Sequence, residues 1–212
     1  MRLMLIRHGE TAWNVKEVFR GRIDVELNER GVKQAELLGE YLSKENMLAV
    51  YSSPLKRALK TAEMIAKHHG IEVEITEGLM DLNFGRWQSL PHETVRERYR
   101  ELYRKWLEAP HEVVMPDGES LSDVRRRGLR LVDEITDKYG DEEGVIALVS
   151  HRVVNKVLIC ALLGLGNSHF WSIRIDTCGI TIFDYERGRF VLIRHNDTSF
   201  LKPLGERRAS DF

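Results

Sequence analysis

Two histidines directly follow apolar segments that have the length of buried strands. His8 follows Met1–Arg7, and His151 follows Val145–Ser150, which is apolar almost throughout, as in a sheet covered on both faces. In an open parallel sheet, ligands bind at the carboxyl ends of the strands. If these two strands are neighbours, both imidazoles face one site, where one can act as a nucleophile and the other as a stabilising group. A single histidine here would be interpreted as structural, but the pair, with Arg7 beside the first, favours catalysis.

Strands and helices alternate along the rest of the chain. Apolar runs predict further strands, and apolar residues at helical spacing between capping and breaking residues predict helices. The predicted strands cover 49–52, 71–75, 180–185 and 190–195, and the predicted helices cover 29–44, 53–70, 92–108, 120–138 and 151–163. This order predicts a three-layer α/β fold with a mostly parallel central sheet, helices on both faces and an antiparallel C-terminal hairpin. We expect one domain over 1–212, with 86–140 as a helical insertion over the active edge of the sheet.

The first histidine belongs to a longer motif, Arg7-His8-Gly9-Glu10-Thr11 followed by Trp13-Asn14, and more blocks follow in order. These blocks are Gly21 to Gln34-Ala35, Ser52-Ser53-Pro54-Leu55-Lys56-Arg57-Ala58 with Thr61-Ala62, Asp81 to Gln88, Pro116-Asp117-Gly118-Glu119-Ser120, and Ser150-His151. The set resembles the histidine phosphatase superfamily, also called phosphoglycerate mutase-like, over nearly the whole chain. Within that superfamily it resembles the phosphatase branch, and α-ribazole phosphatases and broad-specificity phosphatases about equally.

The resemblance implies a phosphomonoester hydrolase that needs neither a metal nor an organic cofactor and works through a phosphohistidine. It implies His8 as the nucleophile, with Arg7, Arg57 and His151 forming the phosphate pocket and Asn14 as a further donor. Neutral imidazole, with an ordinary pKa of about 6.5, can attack a dianionic phosphate ester. Covalent attack divides one difficult displacement into two easier ones. Arginines can grip the phosphate oxygens with paired hydrogen bonds.

Five further residues are candidates for substrate contacts. Gly9 and Thr11 lie within the motif, and Arg20 and Arg22 follow it closely. Arg152 stands where many members of the superfamily have glycine. Its side chain could contact a substrate carboxylate or a second phosphate, or it could point outward as the first residue of a helix.

The leaving alcohol needs a proton, and the superfamily usually supplies it from a glutamate in the acid loop. This chain has Asp81 at that position. Aspartate is shorter by roughly 1.5 Å, one carbon–carbon bond, so the loop would have to move inward or a water would have to relay the proton. We interpret Asp81 as the acid, with a turn-capping carboxylate as the alternative. Glu10 and Glu77 are lesser candidates.

Several other polar and aromatic residues are given structural interpretations. Mixed charges at helical spacing in 92–108 and 125–130 are typical of solvated helix faces. Trp13, Phe84 and Trp87 are interpreted as pocket-rim or core residues. The histidines without ligand spacing are assigned to surface or capping positions, namely His68, His69, His92, His111 and His169.

Composition narrows the class of protein. The 212 residues carry a formal net charge of -1, without the basic excess of a nucleic-acid binder. No segment approaches the ~20 apolar residues that span a bilayer, and the N-terminal apolar run is too short for a secretory signal. Cys160 and Cys178 show no metal or redox spacing, so we expect two buried thiols and a cytoplasmic location. The expected partner is a small phosphorylated metabolite, with no nucleic acid or membrane, and a homodimer is left open.

Two rival functions remain. A phosphoglycerate mutase of the same superfamily would return the phosphoryl group to its substrate, but mutases tend to have a longer insertion after the acid loop. A catalytically silent module that binds phospholigands is the rival from another class. The substrate itself stays open among α-ribazole phosphate, sugar phosphates, phosphoserine and 3-phosphoglycerate. The terminal residues 207–212 are interpreted as a frayed tail or as a segment that folds over the site.

Overall fold

Six strands form one sheet in the computed structural model, which describes residues 1–205; the terminal segment interpreted above lies outside the described residues. The strands are β1 (Arg2–Arg7), β2 (Met47–Ser52), β3 (Val73–Ile75), β4 (Val145–Ser150), β5 (Ile180–Glu186) and β6 (Arg189–Asp197). Their spatial order is β3-β2-β4-β1-β5-β6, and β5 runs antiparallel to both β1 and β6. The other pairs are parallel, and Arg7 lies opposite Ser150. The strands that precede the two histidines are therefore neighbours, which is the condition for both imidazoles to face one site.

Helices cover both faces of the sheet. They are α1 (Ala12–Val15), α2 (Glu29–Leu42), α3 (Lys56–Ala66), α4 (His92–Arg98), α5 (Arg100–Glu108), α6 (Leu121–Tyr139) and α7 (Arg152–Leu162). Side chains alternate along β1, so Met4 and Ile6 pack with the apolar residues of α2 and α3, while Leu3 and Leu5 pack with those of α6 and α7. This arrangement confirms the predicted three-layer fold.

Side-chain caps fix the starts of two helices that flank the site. Asn28 accepts a hydrogen bond from the Gly31 N–H at the start of α2. Ser120 and Asp123 form a reciprocal capping box at the start of α6. Each cap stabilises its helix by about 1 kcal/mol and sets the residue at which the helix begins. Within residues 1–205, none of the helices is long and apolar enough to cross a bilayer.

The predicted helix at 92–108 is interrupted. Tyr99 has φ -123° and ψ 40°, which is not helical, so α4 ends before it and α5 begins after it. The break allows Val95 of α4 and Trp106 of α5 both to be buried. The Trp106 ring packs 5.9 Å from Phe84 and 5.3 Å from Phe170, measured between ring centroids. The insertion is thereby tied to the loop that follows β3.

Other boundaries differ by a few residues from the sequence prediction. The helix expected from residue 53 begins at Lys56, because the Ser53 N–H still donates to the Val149 carbonyl and prolongs the pairing of β2 with β4. β3 begins at Val73 rather than 71. The stretch 76–91, which falls between the predicted strand at 71–75 and the predicted helix at 92–108, contains two short 3-10 turns at Glu77–Leu79 and Gly85–Trp87.

Candidate active site

His8 lies at the carboxyl end of β1, and its ring is buried. Its Nδ1 is 2.6 Å from the Gly9 carbonyl oxygen. Because a carbonyl oxygen can only accept, Nδ1 carries the proton and Nε2 keeps its lone pair. Burial, together with Arg57, Arg7 and Arg20, lowers the pKa of His8 well below 6.5. The ring is therefore neutral, with an unprotonated Nε2 that can attack an electrophile.

The backbone after His8 is packed tightly against the start of α2. A Cβ at Gly9 would lie 2.5 Å from the Gly31 carbonyl oxygen, so a side chain does not fit. The Gly9 N–H donates to Thr61 Oγ1 at 3.1 Å, and that hydroxyl donates to the Arg57 carbonyl at 2.8 Å. Both backbone groups of Gly9, a candidate for substrate contact, are thus engaged within the protein, where they fix the His8 ring.

Two fully buried arginines flank the histidine. Arg7 donates to the Ile175 carbonyl at 2.5 Å. Arg57, at the start of α3, donates to the Gly21 carbonyl at 2.8 Å and to Asp81 Oδ2 at 3.3 Å. Burial lowers the pKa of Arg57 and Asp81 opposes that effect, but a guanidinium stays charged in a protein. These contacts hold two cations in fixed orientations, as an anion site requires.

His151 follows β4, and its ring centroid lies 5.2 Å from that of His8. Its Nε2 is 2.8 Å from Ser53 Oγ, and its Nδ1 is 3.8 Å from Asp81 Oδ2. Nδ1 has no hydrogen-bond partner within residues 1–205. Burial, with Arg57 and His8, lowers the pKa of His151 well below 6.5. Ser53 was not singled out from the sequence, although it lies in the block that carries the arginine.

Asp81 is the acid-loop carboxylate that reaches this cluster. It is 5% exposed, its Oδ1 accepts the Leu82 N–H at 2.9 Å, and its Oδ2 faces Arg57 and His151. Of the lesser acid candidates, Glu10 accepts a hydrogen bond from Asn28 Nδ2, and Glu77 lies exposed on a 3-10 turn. Of the three candidates, Asp81 is therefore the carboxylate that lies beside Arg57 and His151.

Thr11 and Asn14 form a capping box around α1. Asn14 Oδ1 accepts hydrogen bonds from the Thr11 N–H at 2.9 Å and from Thr11 Oγ1 at 2.8 Å. Because the amide oxygen is used in this way, the Asn14 Nδ2 amine is the group that can donate to an anion.

A cavity opens beside Asp81. Its lining includes Phe19, Arg20, Asp81, Phe84, His92 and Arg152. Arg20 is half-buried, and burial together with Arg7, Arg57 and Arg152 lowers its pKa well below 12.5. The buried Arg152 lies in the site rather than pointing outward, with its guanidinium 6.0 Å from the Trp171 ring centroid.

Arg22, by contrast, lies in a neighbouring cleft. Its guanidinium donates to Glu119 at 3.0 Å, and its backbone N–H donates to Gln88 at 2.7 Å. These contacts hold the side chain away from the cavity, so the structure does not bring Arg22 together with the other predicted site residues.

His92, which the sequence assigned to a surface or capping position, is a half-buried residue at the start of α4 that lines the cavity. Its ring stacks on Phe19 with centroids 4.0 Å apart and planes 6° apart, and it lines the cavity. Burial, with Arg152 and Arg20, lowers the pKa of His92 to about 3. Phe84 and Trp87 are buried in the hydrophobic core. Both cysteines are buried, as expected.

Comparison with known proteins decides the family. The model of the histidine phosphatase superfamily (branch 1) matches residues 3–198. The chain belongs to the histidine phosphatase superfamily. It is 37% identical over 201 residues to phosphoserine phosphatase 1 of Hydrogenobacter thermophilus, covering 95% of this chain and 94% of that protein. It is 30% identical to the adenosylcobalamin/alpha-ribazole phosphatase of Escherichia coli, over 83% and 86% of the two chains.

A solved structure supports the same assignment. A phosphoserine phosphatase variant of Entamoeba histolytica in complex with phosphoserine has a TM-score of 0.82 and 32% identity, covering 94% of this chain and 98% of that one. This histidine phosphatase is accordingly a phosphatase that acts on small phosphorylated molecules. Within residues 1–205, no group of three or more His, Cys, Asp or Glu side chains is placed to hold a metal ion.

The lowered pKa values of His8 and His151 can be tested by titration. An ordinary histidine ring changes charge near pH 6.5, whereas rings with depressed pKa values stay neutral. We expect the ring-proton NMR shifts of His8 and His151 to stay constant from about pH 8 down to about pH 5. Signals missing from His8→Asn and His151→Asn spectra assign the two rings. A midpoint near 6.5 for His8 would contradict the buried, arginine-flanked environment described above.

Proposed function

We propose that the enzyme hydrolyses phosphomonoesters through a phosphohistidine on His8 Nε2. The observation that carries this proposal is the neutral, Nδ1-protonated His8 ring beside Arg7, Arg57 and His151. The Nε2 lone pair attacks phosphorus, and the bond from phosphorus to the ester oxygen breaks. Water then attacks phosphorus, the bonding pair returns to Nε2, and inorganic phosphate leaves.

Fixed positive groups stabilise the transferring phosphoryl group. Charge in the transition state is spread over three equatorial oxygens, and preorganised donors act most strongly in a buried site. Arg7 and Arg57 are buried and held by backbone carbonyls, so little reorganisation is needed when the charge develops. His151 Nδ1 and Asn14 Nδ2 supply further donors to the same oxygens.

Asp81 serves as the acid and then as the base. In the first step its carboxyl group gives a proton to the leaving alkoxide, and in the second its carboxylate takes a proton from the attacking water. Its position beside Arg57 and His151, at the wall of the cavity, supports this role. The leaving group would then point toward this cavity, on the side of Arg20 and Arg152.

The residues that line the cavity favour a substrate that carries a second anionic group. Arg20 and Arg152 line the space beyond the phosphate pocket, where a neutral leaving group would gain nothing from two cations. Arginine recognises carboxylates with paired, charge-assisted hydrogen bonds. Two of the similar proteins described above are phosphoserine phosphatases. We therefore favour phosphorylated carboxylic acids of the phosphoserine type over α-ribazole phosphate and sugar phosphates.

Substrate pairs that differ in the carboxylate test this assignment. We expect Arg20→Ala and Arg152→Ala each to lower kcat/KM for phosphoserine by about 10- to 100-fold, since hydrogen bonds to charged groups contribute about 1.5–3 kcal/mol. For phosphoethanolamine, which lacks the carboxylate, kcat/KM should fall much less. The measurement is steady-state phosphate release with chelator present.

Arg22→Ala is the matched control, because Arg22 lies in the neighbouring cleft and pairs with Glu119. It should leave the ratio of kcat/KM values for the two substrates unchanged. If Arg20→Ala and Arg152→Ala lower kcat/KM equally for phosphoserine and phosphoethanolamine, these arginines do not bind a second anionic group of the substrate.

A further inference from the structure

One arginine of α6, Arg127, makes hydrogen bonds to the loop that carries Asp81. All five N–H groups of Arg127 point at acceptors. Three are backbone carbonyls of the loop, namely Glu77 at 3.4 Å, Gly78 at 2.9 Å and Asp81 at 3.2 Å. The other two are the carboxylate oxygens of Glu119, at 3.3 and 3.4 Å. The Arg127 side chain is 19% exposed, so the sequence interpretation of a solvated face is wrong at this position.

Glu119 binds the backbone of the same loop two residues after Asp81. Its Oε2 accepts the Asn83 N–H at 2.9 Å, and its own N–H donates to the Asn83 carbonyl at 2.9 Å. The capping box of Ser120 and Asp123 fixes the start of α6, the helix that carries Arg127. The backbone on both sides of Asp81 is therefore hydrogen-bonded to α6 or to Glu119, the residue before its cap.

We propose that Arg127, braced by Glu119, is a positioning residue that holds Asp81 at the depth from which it reaches the leaving group. This inference rests on the proposed acid role of Asp81. Arg127 binds the carbonyl of the very residue that carries the acid, while Asp81 Oδ1 is engaged by the Leu82 N–H and Oδ2 faces the site. Because aspartate has one carbon fewer than glutamate, the placement of its backbone decides whether Oδ2 reaches the ester oxygen.

The chemistry gives this role a signature that general destabilisation lacks. A nitrophenolate leaves without much protonation, whereas the alkoxide of phosphoserine needs the proton. A displaced acid therefore slows the alkyl ester selectively, and a misplacement of about 1 Å can cost about 100-fold in rate. Lysine at this position would keep the charge, but its three donors cannot reach three carbonyls and a carboxylate in fixed directions.

The experiment compares kcat for phosphoserine and for p-nitrophenyl phosphate in four variants. Asp81→Asn should slow phosphoserine far more than the nitrophenyl ester. Arg127→Ala should lower kcat for phosphoserine about 10- to 100-fold more than kcat for p-nitrophenyl phosphate, and should change KM by less than about threefold. Arg127→Lys should show the same selective loss of kcat, but a smaller one. Arg130→Ala is the matched control, because Arg130 is exposed and lines the cleft that also contains Arg127. It should leave both rates unchanged.

The outcomes separate the two hypotheses. If Asp81→Asn slows both esters equally, the acid role fails and the positioning role fails with it. If Asp81→Asn is selective but Arg127→Ala and Arg127→Lys are not, the acid role stands and the positioning inference is overturned. In the Asp81→Asn background, Arg127→Ala should add no further selectivity, since the two act through one group. Thermal melting identifies a variant that has not folded, and Arg127→Lys then decides the matter.

Discussion

His8→Asn is expected to abolish phosphate release, with kcat/KM lowered by about 10⁴-fold or more on every substrate. Asparagine retains a polar group of moderate size but cannot form the bond from nitrogen to phosphorus. The remaining arginines can still bind the dianion, so substrate affinity should persist while turnover does not. Phosphate release from phosphoserine and p-nitrophenyl phosphate, with chelator present, measures the loss.

Trapping the intermediate separates the competing functions. The bond between nitrogen and phosphorus is labile in acid, so an alkaline quench followed by mass spectrometry should find phosphate on His8 of the unsubstituted enzyme and none on the variant. Phosphorylation of His8 with slow release to water but fast return to a second substrate would favour a mutase. Binding of phosphoserine with no phosphorylated His8 would favour a silent binding module. Appreciable turnover by His8→Asn would refute the assignment of the nucleophile.

Arg57→Ala should damage both catalysis and folding. Loss of one preorganised donor to the developing charge lowers kcat by about 10²- to 10³-fold. The change also leaves Asp81 buried without its ion-pair partner, and breaking a buried pair costs about 3–5 kcal/mol in the free energy of unfolding. Steady-state kinetics and urea unfolding measure the two effects separately.

A double substitution distinguishes the two roles of Arg57. Adding Asp81→Asn to Arg57→Ala removes the unpaired carboxylate, so part of the stability should return while activity stays lost. Lys60→Ala, on the exposed side of the same helix, is the control and should change the free energy of unfolding by less than about 1 kcal/mol. The readout is p-nitrophenyl phosphate, whose leaving group needs little protonation: kcat should stay as low in the double variant as in Arg57→Ala, and its recovery would mean that Arg57 acts through Asp81 and not on the phosphate.

The centre of the site was predictable because its residues follow strands. Parallel strands end at one edge of the sheet, so His8 and His151 had to meet once β1 and β4 were neighbours. The apolar runs that define those strands, and the ordered motif blocks, are both visible in the chain. The adjacency of Arg57 and Asp81 to the histidines came from the resemblance, since neither residue is distinctive alone.

The outer part of the site could not be predicted, and the reasons are physical. Arg127 lies in a mixed-charge pattern that is typical of solvated faces, but most of its partners are backbone carbonyls, which leave no trace in side-chain chemistry. The position of His92 depends on its stacking against Phe19, which lies in a loop that is far from His92 in the sequence. The break at Tyr99 was hidden because the apolar spacing of 92–108 continues across it, and periodicity does not report a single non-helical backbone angle.

The groups around His8 have two structural origins. The groups proposed to bind phosphate lie at the ends of β1 and β4 or in the first turns of α1 and α3. The groups proposed to face the leaving group come from the loop carrying Phe19 and Arg20, from His92 at the start of α4, and from Arg152 at the first turn of α7. Evolution can therefore exchange the second set without disturbing the first. A lineage of such enzymes can acquire a new metabolite by altering a few loop positions while inheriting the same reaction.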